Sequence, residues 1–336
     1  MGINSFFEED KKLNRRDFLK LTGIAGAAVL LSNPADVFAQ AKKRISIATG
    51  GMGGVYFVMG GAIASVLTKY AGVEAAAEVT AASVDNCKLV NAKKSDLGIV
   101  MADVGYDAYK GVGNFKNKPI PIRALGILYA NLMHIVVPEG KIKNVTDLKG
   151  KRVSTGAPGS GTEVKALRVL EAYGLNPDKD IKRERLGASE SAGALKDGKV
   201  DAYFWDGGVP TSSVLDISAT PGMTIRLLAH DDAIPKMVAK HGPVYYKSVI
   251  PKKIYSGVDY DVPVAAVGNL LIAHQDLDEN MVYNILKAMF DHQKDLVAVH
   301  KEAIHITLQN MTSGSPIPYH KGAQKYYKEK GINVPV

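Results

Sequence analysis

Eight residues, Thr49-Gly50-Gly51-Met52-Gly53-Gly54-Val55-Tyr56, constrain this chain more than any other stretch. They follow the apolar run Ile45 to Ala48 and open a proline-free apolar segment from Phe57 to Leu67. The pattern predicts a strand, a glycine turn and a helix. In such a unit the glycines let backbone approach a ligand, and the helix start aims unpaired N–H groups at it. Units of this kind belong to α/β folds, whose open sheets bind ligands at the carboxyl ends of their strands.

The unit recurs along the chain. Val153 to Thr155 reads as a strand, Gly156-Ala157-Pro158-Gly159-Ser160-Gly161-Thr162-Glu163 as a loop, and Val164 to Tyr173 as a helix ended by Gly174. Glu74 to Thr80 and Leu97 to Val100 are further strands, followed by helices capped by Ser83 and Asp103. Arg123 to Tyr129 and His134 to Val137 read as two separate strands. Ser189 starts a helix over Ala192 to Lys196, and Val200 to Trp205 is a strand running into Asp206-Gly207-Gly208-Val209-Pro210-Thr211. Pro210 suits the first turn of the next helix. Val264 to Ala273 is a long apolar strand, Asp278 to Val299 one long helix and Tyr319 to Lys330 a terminal helix.

Strands alternating with helices predict parallel sheets with right-handed crossovers. A chain of 336 residues exceeds one small core and suits two lobes. The expected fold is α/β and two-lobed, each lobe a mostly parallel sheet flanked by helices. Lobe I covers 42–135 plus 260–336, lobe II covers 136–259, and a hinge joins them. A small ligand is then expected in the cleft, with hinge closure around it.

The first 39 residues read as an export signal. Asn14-Arg15-Arg16-Asp17-Phe18-Leu19-Lys20 precedes the apolar run Leu21 to Leu31, then Asn33-Pro34 and Val37-Phe38-Ala39. This is a basic region, a short apolar region and a small-residue cleavage site near Ala39. The apolar run is shorter than the roughly 20 residues a membrane helix needs. Paired arginines resemble the twin-arginine signal, which implies folding before export to the periplasm.

Several chemistries are excluded. A dinucleotide fingerprint starting at Gly51-x-Gly53 needs a third glycine where the chain has Tyr56. A P-loop at Gly156 needs lysine where the chain has Thr162 beside Glu163. What remains there is a nest of N–H groups with the Ser160 and Thr162 hydroxyls, which suits a carboxylate. Net charge is +8, but the Lys and Arg are scattered, so no nucleic-acid surface is expected. The single cysteine, Cys87, rules out an intramolecular disulfide and a cysteine metal site. The histidines have no metal spacing and no Gly-x-Ser-x-Gly elbow occurs, so no enzyme, metal or cofactor is expected. Asp103 and Asp206 read first as caps or turn formers. Tyr56 and Trp205 read equally as packed core and as rings closing on a ligand.

The series Gly50-Gly51-x-Gly53-Gly54-x-Tyr56, Ser83-Val84-x-Asn86, Asp103-Val104, Asp147-Leu148-Lys149-Gly150-Lys151-Arg152-Val153, Gly156 to Glu163, Gly208-x-Pro210-Thr211 and Tyr319-His320-x-Gly322-Ala323 resembles the TAXI family. These are the solute-binding subunits of TRAP transporters. The resemblance implies a periplasmic-binding-protein type II fold. It implies a receptor for a dicarboxylate such as 2-oxoglutarate, or an amino acid such as glutamate, delivered to a TRAP permease driven by an ion gradient. A ligand-sensing module for a membrane receptor and an enzyme on the same fold are the alternatives. A monomer is expected. Carried over as ligand-contacting are Gly54, Val55 and Tyr56; Ser83 and Asn86; Asp103; Ser160, Gly161 and Thr162; and Gly207, Gly208 and Pro210. Trp205 is expected at the cleft edge. The second loop departs from the family's Gly-Gly-Ser, reading Ala81-Ala82-Ser83, and the third reads Met101-Ala102-Asp103 in place of Gln-Ser-Asp. Fewer polar contacts imply a less polar ligand.

Overall fold

A computed structural model describes residues 42–336; the expected export signal and its cleavage site lie outside them. The first unit forms as read: strand β1 (Arg44–Ala48), then helix α1 (Val55–Tyr70). Next come β2 (Glu74–Glu78), α2 (Ser83–Asn91), β3 (Leu97–Met101) and α3 (Ala102–Lys110). Gly111 ends α3 in the left-handed region at φ 70°, where a side chain would be strained.

Strand β4 (Ile122–Pro138) corrects the expectation of two separate strands. The polar Asn131 falls inside it without breaking it, because its amide bonds to Asn269 and to the Asp206 carbonyl. The second half of the chain adds β5 (Arg152–Ser154), α4 (Gly161–Ala172), β6 (Lys182–Glu184) and α5 (Ala188–Lys196). Ser160 caps α4 by accepting from the Glu163 N–H at 3.0 Å, and Gly174 follows at φ 77°. Helix α5 starts earlier than expected, at Ala188, with Gly187 as its cap. Then come β7 (Ala202–Gly207), α6 (Ser212–Ser218), β8 (Ile225–Leu227), α7 (Ile234–His241), β9 (Tyr245–Ile250) and β10 (Val262–His274). Pro210 lies before α6, whose cap is Thr211. The expected long helix is two, α8 (Glu279–Asp291) and α9 (Gln293–Val299), broken at His292, which leaves helical dihedrals at φ −121° and ψ 31°. A short α10 (Leu308–Met311) and α11 (Lys321–Glu329) close the chain.

The strands order as β2-β1-β3-β10-β4-β7-β5-β6, with β8 on β4 and β9 on β10. The outer pairings, β1 with β2 and β3 and β5 with β6 and β7, are parallel. The centre is antiparallel, because β4 and β10 run through both halves in opposite directions. β10 pairs β9 over Val262–Val267 and β3 over Asn269–Ala273. These two strands are nearly continuous apolar runs, as strands covered on both faces require. They join a β2-β1-β3 half to a β7-β5-β6 half. The glycine-bearing loops of the two halves open toward each other across them.

Candidate functional site

A cavity of about 350 Å³ lies between the halves. Four helix starts form its wall: Gly54 to Tyr56 of α1, Ala82 and Ser83 of α2, Ser160 to Thr162 of α4, and Gly187 to Glu190 of α5. Helices α1 and α5 have no side-chain cap, so their first N–H groups are left for solvent or a ligand. The partial positive ends of four helices therefore converge on one small space. The lining holds no Lys, Arg or His, so this convergence is the positive pole of the wall.

The opposite character comes from β4 and β7. Asn131, Tyr129 and Asp206 line the floor. Lys165, fully buried on α4, donates to Asp206 Oδ1 at 3.2 Å and to the Ala265 carbonyl at 2.9 Å. It lies 3.0 Å from Asp206 Oδ2 but out of line for a hydrogen bond, so Oδ2 has no donor. Burial pushes the Asp206 carboxyl up to about 6, and Lys165 opposes that shift. The exposed Glu190 adds a second carboxylate at the rim. Beneath the floor Asn269 ties the wall together. Its Oδ1 accepts from the Tyr56 hydroxyl, and its Nδ2 donates to Asn131 Oδ1 at 2.7 Å and to the Tyr129 carbonyl at 3.2 Å.

Of the residues expected from sequence, Gly54, Val55, Tyr56, Ser83, Ser160, Gly161, Thr162, Trp205 and Gly207 line this cavity. Four do not. Asn86 is fully buried below the wall, its Nδ2 donating to the Thr49 and Ile99 carbonyls at 2.7 Å each. It braces three chain segments and has no group left for a ligand. Asp103 is fully buried and faces Arg168 and Tyr245. Gly208 and Pro210 lie outside the lining; between them the Val209 N–H is held by Glu302 at 3.0 Å. Ser83 starts α2 without capping it; its Oγ accepts from the Met101 N–H at 3.1 Å. Met101 lines the cavity, while its neighbour Ala102 does not.

Sequence reasoning missed Tyr129, Asn131, Asp206 as a lining group, and the whole Gly187–Glu190 turn. One signal was available: a lone asparagine in an apolar strand needs buried partners. Among the described residues, no cluster of three or more His, Cys, Asp or Glu could hold a metal. No described helix is long and apolar enough to cross a membrane.

Halves touch directly around the cavity. The Val84 N–H donates to the Gly159 carbonyl at 3.1 Å, and Ser212 Oγ to the Gly53 carbonyl at 3.2 Å.

Comparison with known proteins agrees with this architecture. The profile described as the NMT1-like family matches residues 47–331. The profile of the TAT (twin-arginine translocation) pathway signal sequence matches residues 12–32, where Arg15-Arg16 stand. A solved structure from Bordetella bronchiseptica RB50 is similar at 18% identity, covering 86% of this chain and 89% of that one, with a TM-score of 0.51. A structure described as a periplasmic transporter is similar at 16% identity, over 87% and 93% of the two chains, with a TM-score of 0.50. The alkanesulfonate-binding protein SsuA from Xanthomonas axonopodis pv. citri, bound to MOPS, is 16% identical over 87% and 92%, with a TM-score of 0.46. The fold is the two-lobed, mixed α/β fold of solute-binding proteins.

Proposed function

The chain belongs to the NMT1-like family, and from that premise we propose that it is an exported solute-binding protein that closes on a small organic anion. The observation that carries the reading is the convergence of four helix starts on one cavity. Their N–H groups and the Ser83 and Thr162 hydroxyls would hold a carboxylate without a cationic side chain. Neutral donors suit a receptor that must release what it captures.

The two expected ligand classes are not equal in this cavity. A dicarboxylate would bring a second negative charge toward the exposed Glu190 and toward Asp206, whose charge Lys165 offsets only from behind the lining, which itself holds no Lys or Arg. An amino acid places its ammonium there instead, where the Asp206 Oδ2 lacks a donor. The amino acid is therefore the favoured ligand. The twin-arginine signal supports export to the periplasm, and we place cleavage near Ala39. Delivery to a TRAP-type permease rests on the TAXI resemblance. We take the lobes as 42–135 with 260–336 and as 136–259, hinged on β4 and β10.

A thermal-shift screen of amino acids and dicarboxylates against the mature chain tests the reading. A ligand at about a hundred times its dissociation constant should add roughly 2.7 kcal/mol. Amino acids should outrank dicarboxylates of equal length, and Thr162→Val should weaken binding about tenfold while lowering ligand-free stability by about 1 kcal/mol, because Thr162 Oγ1 also accepts from the Asp206 N–H at 3.3 Å. If no carboxylate of either class shifts the midpoint, the anion reading fails.

A further inference from the structure

A second cavity, of about 400 Å³, lies behind the first. It is bounded by β4, β10, the 243–246 segment and the 305–316 segment; Ile127, Pro243, Val244 and Pro316 give it apolar surface, and His305, Asn310 and Ser313 give it polar surface. Tyr129 is the one residue common to the walls of both cavities. It is 2% exposed, and its hydroxyl has no hydrogen-bond partner among the described residues.

The backbone places the ring there by a bulge. Gly268 pairs with Ala130 and Leu270 with Ile127, so β4 sets Leu128 and Tyr129 against the single residue Asn269. An extra residue in one strand re-aims the side chain it carries. Asn269 then fixes the position by donating to the Tyr129 carbonyl at 3.2 Å. On the ring's flank, a Cβ on Gly208 would sit 3.1 Å from Tyr129 Cε2 and 2.8 Å from Glu302 Cγ. Glycine at 208 leaves the ring its room, and Glu302 holds the neighbouring Val209 N–H. A side chain seated this way is a fixed wall.

We propose that Tyr129 sets the length of ligand the cleft accepts. Its ring is the partition between the ligand cavity and the rear cavity, and removing it joins the two spaces. The inference rests on the reading of the front cavity as the ligand site. Without the ring, a ligand chain running off the helix starts would pass over Asn131 into the space bounded by Ile127 and Val244. Specificity for short ligands is then a property of one aromatic ring and not of the polar groups that grip the ligand head.

The test compares wild type, Tyr129→Phe, Tyr129→Ala and Tyr129→Leu by calorimetry with straight-chain 2-amino acids, from 2-aminobutyrate to 2-aminodecanoate. Wild type and Tyr129→Phe should share one chain length beyond which binding is lost. Tyr129→Ala should bind the longer members at least tenfold tighter than wild type does. Tyr129→Leu, which keeps an apolar strand residue, should extend the range in the same direction if the alanine variant does not fold. An unchanged length limit in the alanine and leucine variants overturns the proposal, as does an equal extension in Tyr129→Phe. If wild type binds no member of the series, the amino-acid reading fails by itself, and the partition is read with anilinonaphthalene sulfonate on folded protein. Tyr129→Ala or Tyr129→Leu should then take up the dye while wild type and Tyr129→Phe exclude it; equal uptake by all variants overturns the proposal.

Discussion

His134 and His230 are fully buried, and that burial holds both neutral. The Thr211 N–H donates to the Tyr255 hydroxyl at 3.0 Å; that hydroxyl meets His134 Nε2 at 2.9 Å, leaving Nδ1–H for the Leu132 carbonyl at 2.8 Å. His230 repeats the arrangement, with Nδ1 on the Leu228 carbonyl and Nε2 accepting from the Ala265 N–H. Burial pulls both rings from 6.5 down to about 4. A depressed folded value means the stabilisation is present above pH 6.5 and lost as the pH falls toward 4. Asp206 acts in the opposite sense. Its raised value, about 6, makes the ionised form costly when folded, and acid relieves that cost. Two histidines against one carboxylate leave a net loss of about 3 kcal/mol from these three groups between pH 7 and 4.5. Urea denaturation across that interval checks it, and a flat profile would contradict neutral burial. A second residue-scale prediction concerns Ala82, held at φ 75° and ψ −145°, a region that favours glycine. Its N–H on Thr80 Oγ1 at 3.0 Å and its carbonyl under the Asn86 N–H at 2.9 Å keep it there. Ala82→Gly should raise stability by about 1 kcal/mol in thermal denaturation, the reverse of the usual cost of glycine. Sequence pointed to the 81–87 loop through its departure from Gly-Gly-Ser. It could not separate Ser83, which reaches the cavity, from Asn86, which bonds inward, because the Thr49 and Ile99 carbonyls that hold Asn86 come from distant segments of the chain.

Helices α3 and α4 meet through charge. Arg168 of α4 lies against Asp107 and 3.4 Å from Asp103 of α3, and it donates to the Tyr245 hydroxyl at 2.7 Å. The Tyr245 hydroxyl donates in turn to Asp103 Oδ2 at 2.6 Å. All four are buried. Burial raises the Asp107 carboxyl, against the pull of Arg168. Removing the cation alone strands two carboxylates, so Arg168→Met should cost about 3–5 kcal/mol. The triple variant with Asp103→Asn and Asp107→Asn should recover most of that loss, since it removes the charges together. Denaturant titration of both separates the two outcomes; equal loss in both would mean that packing and not charge carries the contact. In sequence Asp103 reads first as a cap, and only the family resemblance carries it over as a ligand contact. Its partner Arg168 sits far away along the chain, and nothing in the local pattern of α3 announces it. One clue was present in α4: Lys165 and Arg168 stand three residues apart in an apolar helix, a spacing that puts both cations on one buried face. The strand–loop–helix units, by contrast, were legible because glycine turns and apolar runs are local signals. The joining of β4 across Asn131 was not, because the partners that satisfy Asn131 come from β7 and β10.

At the scale of the whole molecule, backbone of one half lies against side chains of the other, and the glycines mark where. A Cβ on Gly161 would lie 2.3 Å from Met101 Sδ, and one on Gly54 would lie 2.9 Å from Trp205 Cη2. Methionine bends away at little cost, but Trp205 is fixed. Its Nε1–H donates to Thr211 Oγ1 at 3.0 Å, and Gly207 lies against its inner edge. Gly54 itself has an ordinary extended backbone, φ −112° and ψ 161°, so alanine is tolerated there when the halves are apart. Carbon atoms at 2.9 Å are well inside the optimal 3.5–4.0 Å, and only partial opening relieves the clash. Gly54→Ala should therefore leave ligand-free stability within about 0.5 kcal/mol, as for other substitutions that strain no backbone. It should weaken ligand binding about tenfold, equivalent to about 1.4 kcal/mol taken from the closed state. Trp205 is the only tryptophan in the chain, so its emission reports the same event. Ligand should change the emission in wild type and change it less in Gly54→Ala at saturation. Equal affinity and equal emission changes in the two proteins would mean that the clamp does not close through this contact.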